Sequence, residues 1–284
     1  MGRALLLFAL AAAFASRLPA DFSYRQVTTI SGIAAVGMAG LPGQPAAPGP
    51  IASTIAVKDG RLLSRLGDRA TVIDLSAQTV TEIDFGRRTF SVAGFDEIRR
   101  AMSAGAAALK PVNASVTGER RQISGFDATE LAMKLEAPGA ETGPATRDLW
   151  LARPVAGYAE MRDVLRRLSS AVEWSPLQRL FIARPEVVRM LAALFRETAL
   201  AEGMPVLEVT AIEPPPGFSE GPARLGTGNP LGQLAGRGGD NTGLLFHIRT
   251  EMSAFSSAPL DEADFTVPPS FRRVPAEILQ PAKK

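Results

Sequence analysis

Few side chains in this 284-residue sequence have types and spacings that could do chemistry. Glu82 and Asp84 stand two apart in a strand-like run, so they share one face, as a pair of carboxylates for glycoside hydrolysis would need. Ile83 and Phe85 take the other face, and this alternation reads as half-buried sheet with its carboxylates in solvent. His247 is the only histidine, in phase with Arg249 and Glu251 on a polar strand face, which suits a solvated imidazole. With no cysteine, neither a zinc-type ligand set nor a thiolate nucleophile can form, and a Ser-His-Asp triad would have to recruit His247. Asp240 and Asn241 in "GRGGDNTG" lack the spacing of a calcium loop. "GTGNPLG" opens as G-x-G, but no strand runs directly into it and no helix follows, so it reads as a surface loop. No catalytic residue, metal or cofactor is assigned.

The composition fits that outcome. Hydrophobic residues make up 46%, enough for a globular core, while the formal charge of +2 and 6% aromatics do not suit a nucleic-acid partner. Arg3, the apolar run "ALLLFALAAAF" and the small residues of "AFA" at 13–15 follow the order of a secretory signal. The run is too short to span the roughly 30 Å hydrocarbon core of a bilayer. No later stretch has that length, so the expectation is a signal peptide at 1–15 and a soluble periplasmic or secreted chain from 16 to 284. No lipobox cysteine is present to anchor it.

The elements that would position any site are mostly strands. "FSYRQVTTI" opens, and a Gly/Pro tract near 39–50 follows. Asp59-Gly60 and Gly67-Asp68 then mark tight turns between alternating strands. Within "TVIDL", "TVTEIDF" and "TFSV", Ile73, Ile83 with Phe85, and Phe90 mark apolar faces of period two. "FDEIRRAMSAGAAALK" places Phe95, Ile98, Met102 and Leu109 on one helical stripe, with acids in its first turn. Strands at "SVTGERRQI", "DATELAMKLEA" and "RDLWLA" precede two more helices. The second of these carries Leu191, Leu194 and Phe195 on a wide apolar face. "MPVLEVTAI" and "LLFHIRTEMSAF" are strands on either side of a second Gly/Pro tract, at 214–243. The order predicts one α+β domain with an antiparallel sheet of roughly nine or ten strands. A sheet of that size curls, and the helices need an apolar surface to cover.

The stretch "DRATVIDLSAQTVTEIDFGRRTFSVAGFDEIRRAM", then "VTGERRQISGFDATEL", "RDLWLA" and "DFTVPPSFRRV", resembles a family of bacterial secreted proteins of unknown function. In architecture that family is similar to periplasmic lipoprotein carriers of the LolA type. The resemblance implies an open half-barrel with helices over its concave face. It also implies a hydrophobic ligand, a lipoprotein or another envelope component as partner, with peripheral membrane association. The apolar lining expected for such a cavity is Ile73, Ile83, Phe85, Phe90, Leu191, Leu194 and Phe195. Fold analogy does not fix function. An envelope interaction module with a solid core and a hydrolase with an unrecognised site stay open as alternatives. If the leader is cleaved after "AFA", N-terminal sequencing of the exported protein will begin near Ser16; a protein still starting at Met1 would refute the leader.

Overall fold

The computed structural model describes residues 21–32, 49–103, 109–136, 142–173, 175, 181, 185–215 and 243–276. The expected leader at 1–15 lies outside these residues, as does nearly all of the two tracts at 39–50 and 214–243. Strands β1 (Phe22–Ser31), β2 (Ile51–Lys58), β3 (Arg61–Leu66), β4 (Arg69–Asp74), β5 (Thr79–Asp84) and β6 (Thr89–Gly94) form an antiparallel meander in sequence order. Asp59 and Gly60 turn the first of its hairpins with φ of 49° and 73°, the left-handed geometry that matches strand twist. Helix α1 (Phe95–Ser103) follows and is shorter than its apolar periodicity implied, Leu109 lying outside it in irregular chain. Then come β7 (Asn113–Ile123), β8 (Phe126–Leu135), β9 (Ala145–Ala152), α2 (Tyr158–Ala171), α3 (Pro185–Leu200), β10 (Met204–Ile212) and β11 (Phe246–Ser256). A 3-10 turn at Glu262–Phe265 and a two-residue β12 (Arg272–Arg273) are the last of the described elements.

All the described strands join one twelve-stranded sheet in the order β12-β6-β5-β4-β3-β2-β1-β11-β10-β9-β8-β7. The α+β expectation holds, with a larger sheet than the nine or ten strands expected. Every pairing is antiparallel except β12 with β6. Its terminal strands β12 and β7 do not pair with each other, so the sheet is open. It is also curled. Strands β8 and β11 are three positions apart, roughly 14 Å in a flat sheet, yet the rings of Phe126 and Phe255 lie 5.5 Å apart, edge to face. Register shifts at Ser23/Arg25 and Pro205/Leu207 supply local twist of the kind such bends require.

Helices cover one face. Gly157, with φ of 84°, turns the chain into α2 against the Phe22 ring, where a Cβ would stand 3.1 Å from the ring edge. That close approach seats Tyr158, Met161, Val164, Leu165 and Leu168 on the sheet. The opposite face of β3–β6 is not wet, as simple alternation would have it. Ala70 through Ile73 are buried without interruption, because the C-terminal segment crosses the outer face as a strap. Phe265 sits over Ala56, Leu63, Val72 and Ile83, while Phe271 meets Phe85 edge to face at 5.6 Å. Polar clamps fix the strap's entry: Arg61 donates through both terminal nitrogens to Glu262 at 2.5 and 2.7 Å, and its guanidinium lies 5.2 Å from the Phe265 ring centre. Phe265→Ala will lower stability by about 3 kcal/mol, the scale for truncating a buried aromatic. Glu262→Gln, at an exposed pair, will barely move the urea midpoint.

Candidate functional site

Two helices and four strands enclose an interior, among the described residues, that mixes apolar, neutral polar and charged side chains. Helix α3 presents Val187, Val188, Leu191 and Leu194 to a dense cluster with Met133 and Leu135 of β8, Leu149 of β9, and Phe246 and Ile248 of β11. Helix α2 packs into a second cluster with Phe22, Ile55, Val57, Leu62 and Ile73. Where the two helices diverge from the sheet, a cavity of about 40 Å3 remains. Its walls are Met161 and Leu165 of α2, Phe195 of α3, and Met252 and Phe255 of β11. Tyr24, Gln26, Arg147, Glu208 and Thr250 line the sheet side.

Arg147 dominates the electrostatics. It is 2% exposed, yet its face of β9 also carries Ala145 and Leu149. Nε donates to Thr210 Oγ1 at 2.9 Å, and Nη1 to Thr198 Oγ1 of α3 at 3.1 Å. The Thr198 hydroxyl in turn donates to the Leu194 carbonyl at 3.0 Å. A Glu208 carboxylate oxygen stands 3.5 Å from Nη1, a charge neighbour rather than a tight bond. Burial lowers the Arg147 pKa, and Glu208 works against that shift. Burial also pushes the phenols of Tyr24 and Tyr158 well above their ordinary range, with Glu208 adding to both. Both phenols therefore stay neutral in this interior. Beside them, the hydroxyls of Thr28 and Thr250 bond across β1 and β11 at 2.9 Å.

The side chains expected to line one cavity are divided among three clusters. Register explains the division. Ile73 pairs with Val80 and faces α2, whereas Ile83 pairs with Ala70 and Phe90 and faces the strap, as Phe85 does. Leu191 and Leu194 lie in the dense cluster under α3, and of the expected residues Phe195 lines the cavity. The Glu82–Asp84 pair does not point into open solvent. It is on the helix side, with both residues half-buried, and Asp84 lies 3.5 Å from Arg69 and accepts from the Arg87 amide at 2.7 Å. His247 takes the face opposite Phe246 and Ile248, between Ser31 and Ala211.

Sequence reasoning missed Arg147, Glu208 and Gln26, and read Thr198 only as part of the apolar face of its helix. Phase was the available signal, since Arg147 is in phase with Leu149 and Leu151, and Glu208 with Thr210 and Ile212. It also passed over Gly217-Phe218-Ser219-Glu220-Gly221, which matches the G-x-S-x-G spacing and lies outside the described residues. Among the described residues no cluster of three or more His, Asp or Glu side chains could hold a metal ion, and no helix is long and apolar enough to cross a membrane.

No protein-family model and no curated protein matches this chain. Among solved structures it is similar to a LolA superfamily protein from Nitrosomonas europaea, at 7% identity and a TM-score of 0.26, over 87% of this chain and 90% of that one. A likeness so slight carries nothing further. The geometry yields its own test. Thr198→Val removes an acceptor from a buried guanidinium and will destabilise the protein by about 2 kcal/mol in urea unfolding, the scale for hydrogen bonds to charged groups.

Proposed function

We propose that this protein is a non-enzymatic carrier of the bacterial cell envelope, periplasmic or secreted, that takes a hydrophobic ligand between the concave face of its sheet and the α2–α3 roof. The observation that carries this reading is the cavity under the roof, walled by Met161, Leu165, Phe195, Met252 and Phe255. At about 40 Å3 it has room for about three water molecules. An alkyl chain needs several times that space, so uptake requires α2 and α3 to lift from the sheet. The hydrogen bond from Arg147 to Thr198 ties α3 to β9, and breaking it is part of opening.

An enzyme is the weaker reading. The polar groups here are engaged with one another, Thr28 with Thr250 and Arg147 with Thr198 and Thr210, rather than converging on space for a reacting atom. The dense cluster around Leu191 and Leu194 favours a second reading, an envelope interaction module with a solid core. A titration separates the two. Under the carrier reading, a naturally fluorescent polyene fatty acid binds saturably near one equivalent, and hydrogen exchange in α3 changes on binding. Absence of saturable binding by the folded protein would reject the carrier and leave the module.

A further inference from the structure

We infer that the cavity recognises its ligand by a carboxylate headgroup seated on Arg147, and that Glu208 occupies the headgroup's place in the closed form. The inference rests on the carrier reading and adds the chemistry of the ligand to it. A guanidinium has five N–H donors in a planar fork that matches a carboxylate with two parallel bonds. In this structure Arg147 uses one donor on Nε and one on Nη1, for Thr210 and Thr198. The nearest charged partner, Glu208, approaches Nη1 at 3.5 Å, outside the 2.7–2.9 Å of a charge-assisted bond. A buried arginine with so loose a counter-ion has lost hydration without gaining a full partner.

Glu208 retains 16% side-chain exposure against 3% for Arg147, so it has a route to solvent that Arg147 lacks. A ligand carboxylate that takes the fork and turns Glu208 outward keeps the buried charge balanced. The other contacts suit such a ligand. Gln26 and Tyr24 are neutral polar groups that line the same cavity as the arginine, and Met252 and Phe255 are among its apolar walls. A phosphate monoester fits less well, because it would bring a second negative charge to a single buried cation.

The test is competition against the fluorescent fatty acid by dodecanoate, dodecan-1-ol and dodecyl phosphate. Dodecanoate is expected to bind at least tenfold more tightly than dodecan-1-ol and more tightly than dodecyl phosphate. Arg147→Gln should remove that preference, so that acid and alcohol compete equally. Glu208→Gln, which deletes the internal competitor, should tighten dodecanoate several-fold relative to the alcohol. Equal affinity for acid and alcohol would overturn the headgroup assignment and leave the carrier intact. No binding of any probe would overturn both. Tighter dodecyl phosphate would overturn the carboxylate, and weaker dodecanoate binding in Glu208→Gln would overturn the role of Glu208. If Arg147→Gln does not fold, the headgroup series on the native protein and Glu208→Gln still decide the matter.

Discussion

An open sheet of twelve strands has two broad faces, and most of this structure follows from the need to cover them. Apolar area is the main favourable term in folding, at about 25 cal/mol per Å2 removed from water. Here one face takes the helices and the other, at β3–β6, takes the strap. The two covers differ in kind. The strap is short and irregular, held by aromatic side chains, with a bidentate ion pair on its exposed rim. The roof is two helices long, and it is less tightly fitted where it passes over Arg147.

That looser fit is what makes the roof the functional candidate. Under α3, side chains such as Leu191, Leu194 and Phe246 are wholly excluded from solvent. A few residues along the same helix, Phe195 and Thr198 face a polar interior containing an arginine, a glutamine and two tyrosines. Burying such groups costs free energy unless each is bonded, and an aliphatic interior would be the simpler way to fasten a helix to a sheet. Keeping a charge there is intelligible if the seal between helix and sheet has to be broken and remade.

Much of the sheet was legible because its turns are local. Asp59-Gly60 and Gly67-Asp68 carry their conformations in their own residues, and "TVIDL" and "TVTEIDF" alternate cleanly. The helices were legible from their stripes, except that α1 stops before Leu109. What pairs strands across the fold was not. Whether Ile73 and Ile83 share a face depends on the four-residue turn between β4 and β5, which offsets the register so that Ile73 meets Val80. The strap was invisible because its apolar residues, Leu260, Phe265, Val267 and Phe271, follow no period. Arg147 was hidden by its type: an arginine in an alternating strand is taken to face outward unless its phase is checked against Leu149.

The seam between β1 and β11 joins one local meander, β1–β6, to the strands that follow it. Its interior hydrogen bond links Thr28 to Thr250, 222 residues apart in the chain. Contacts so distant close late, because the loop entropy must be met before the pairing returns anything. A chain emerging N-terminus first can pair β2 through β6 early, but β1 has its second neighbour only after residue 256 has appeared. Until then the edge of β1 that will receive β11 is bare, and so is the concave floor carrying Gln26 and Thr28. The central strand of the finished sheet is thus an unprotected edge during synthesis, the state in which strands most readily pair with the wrong chain.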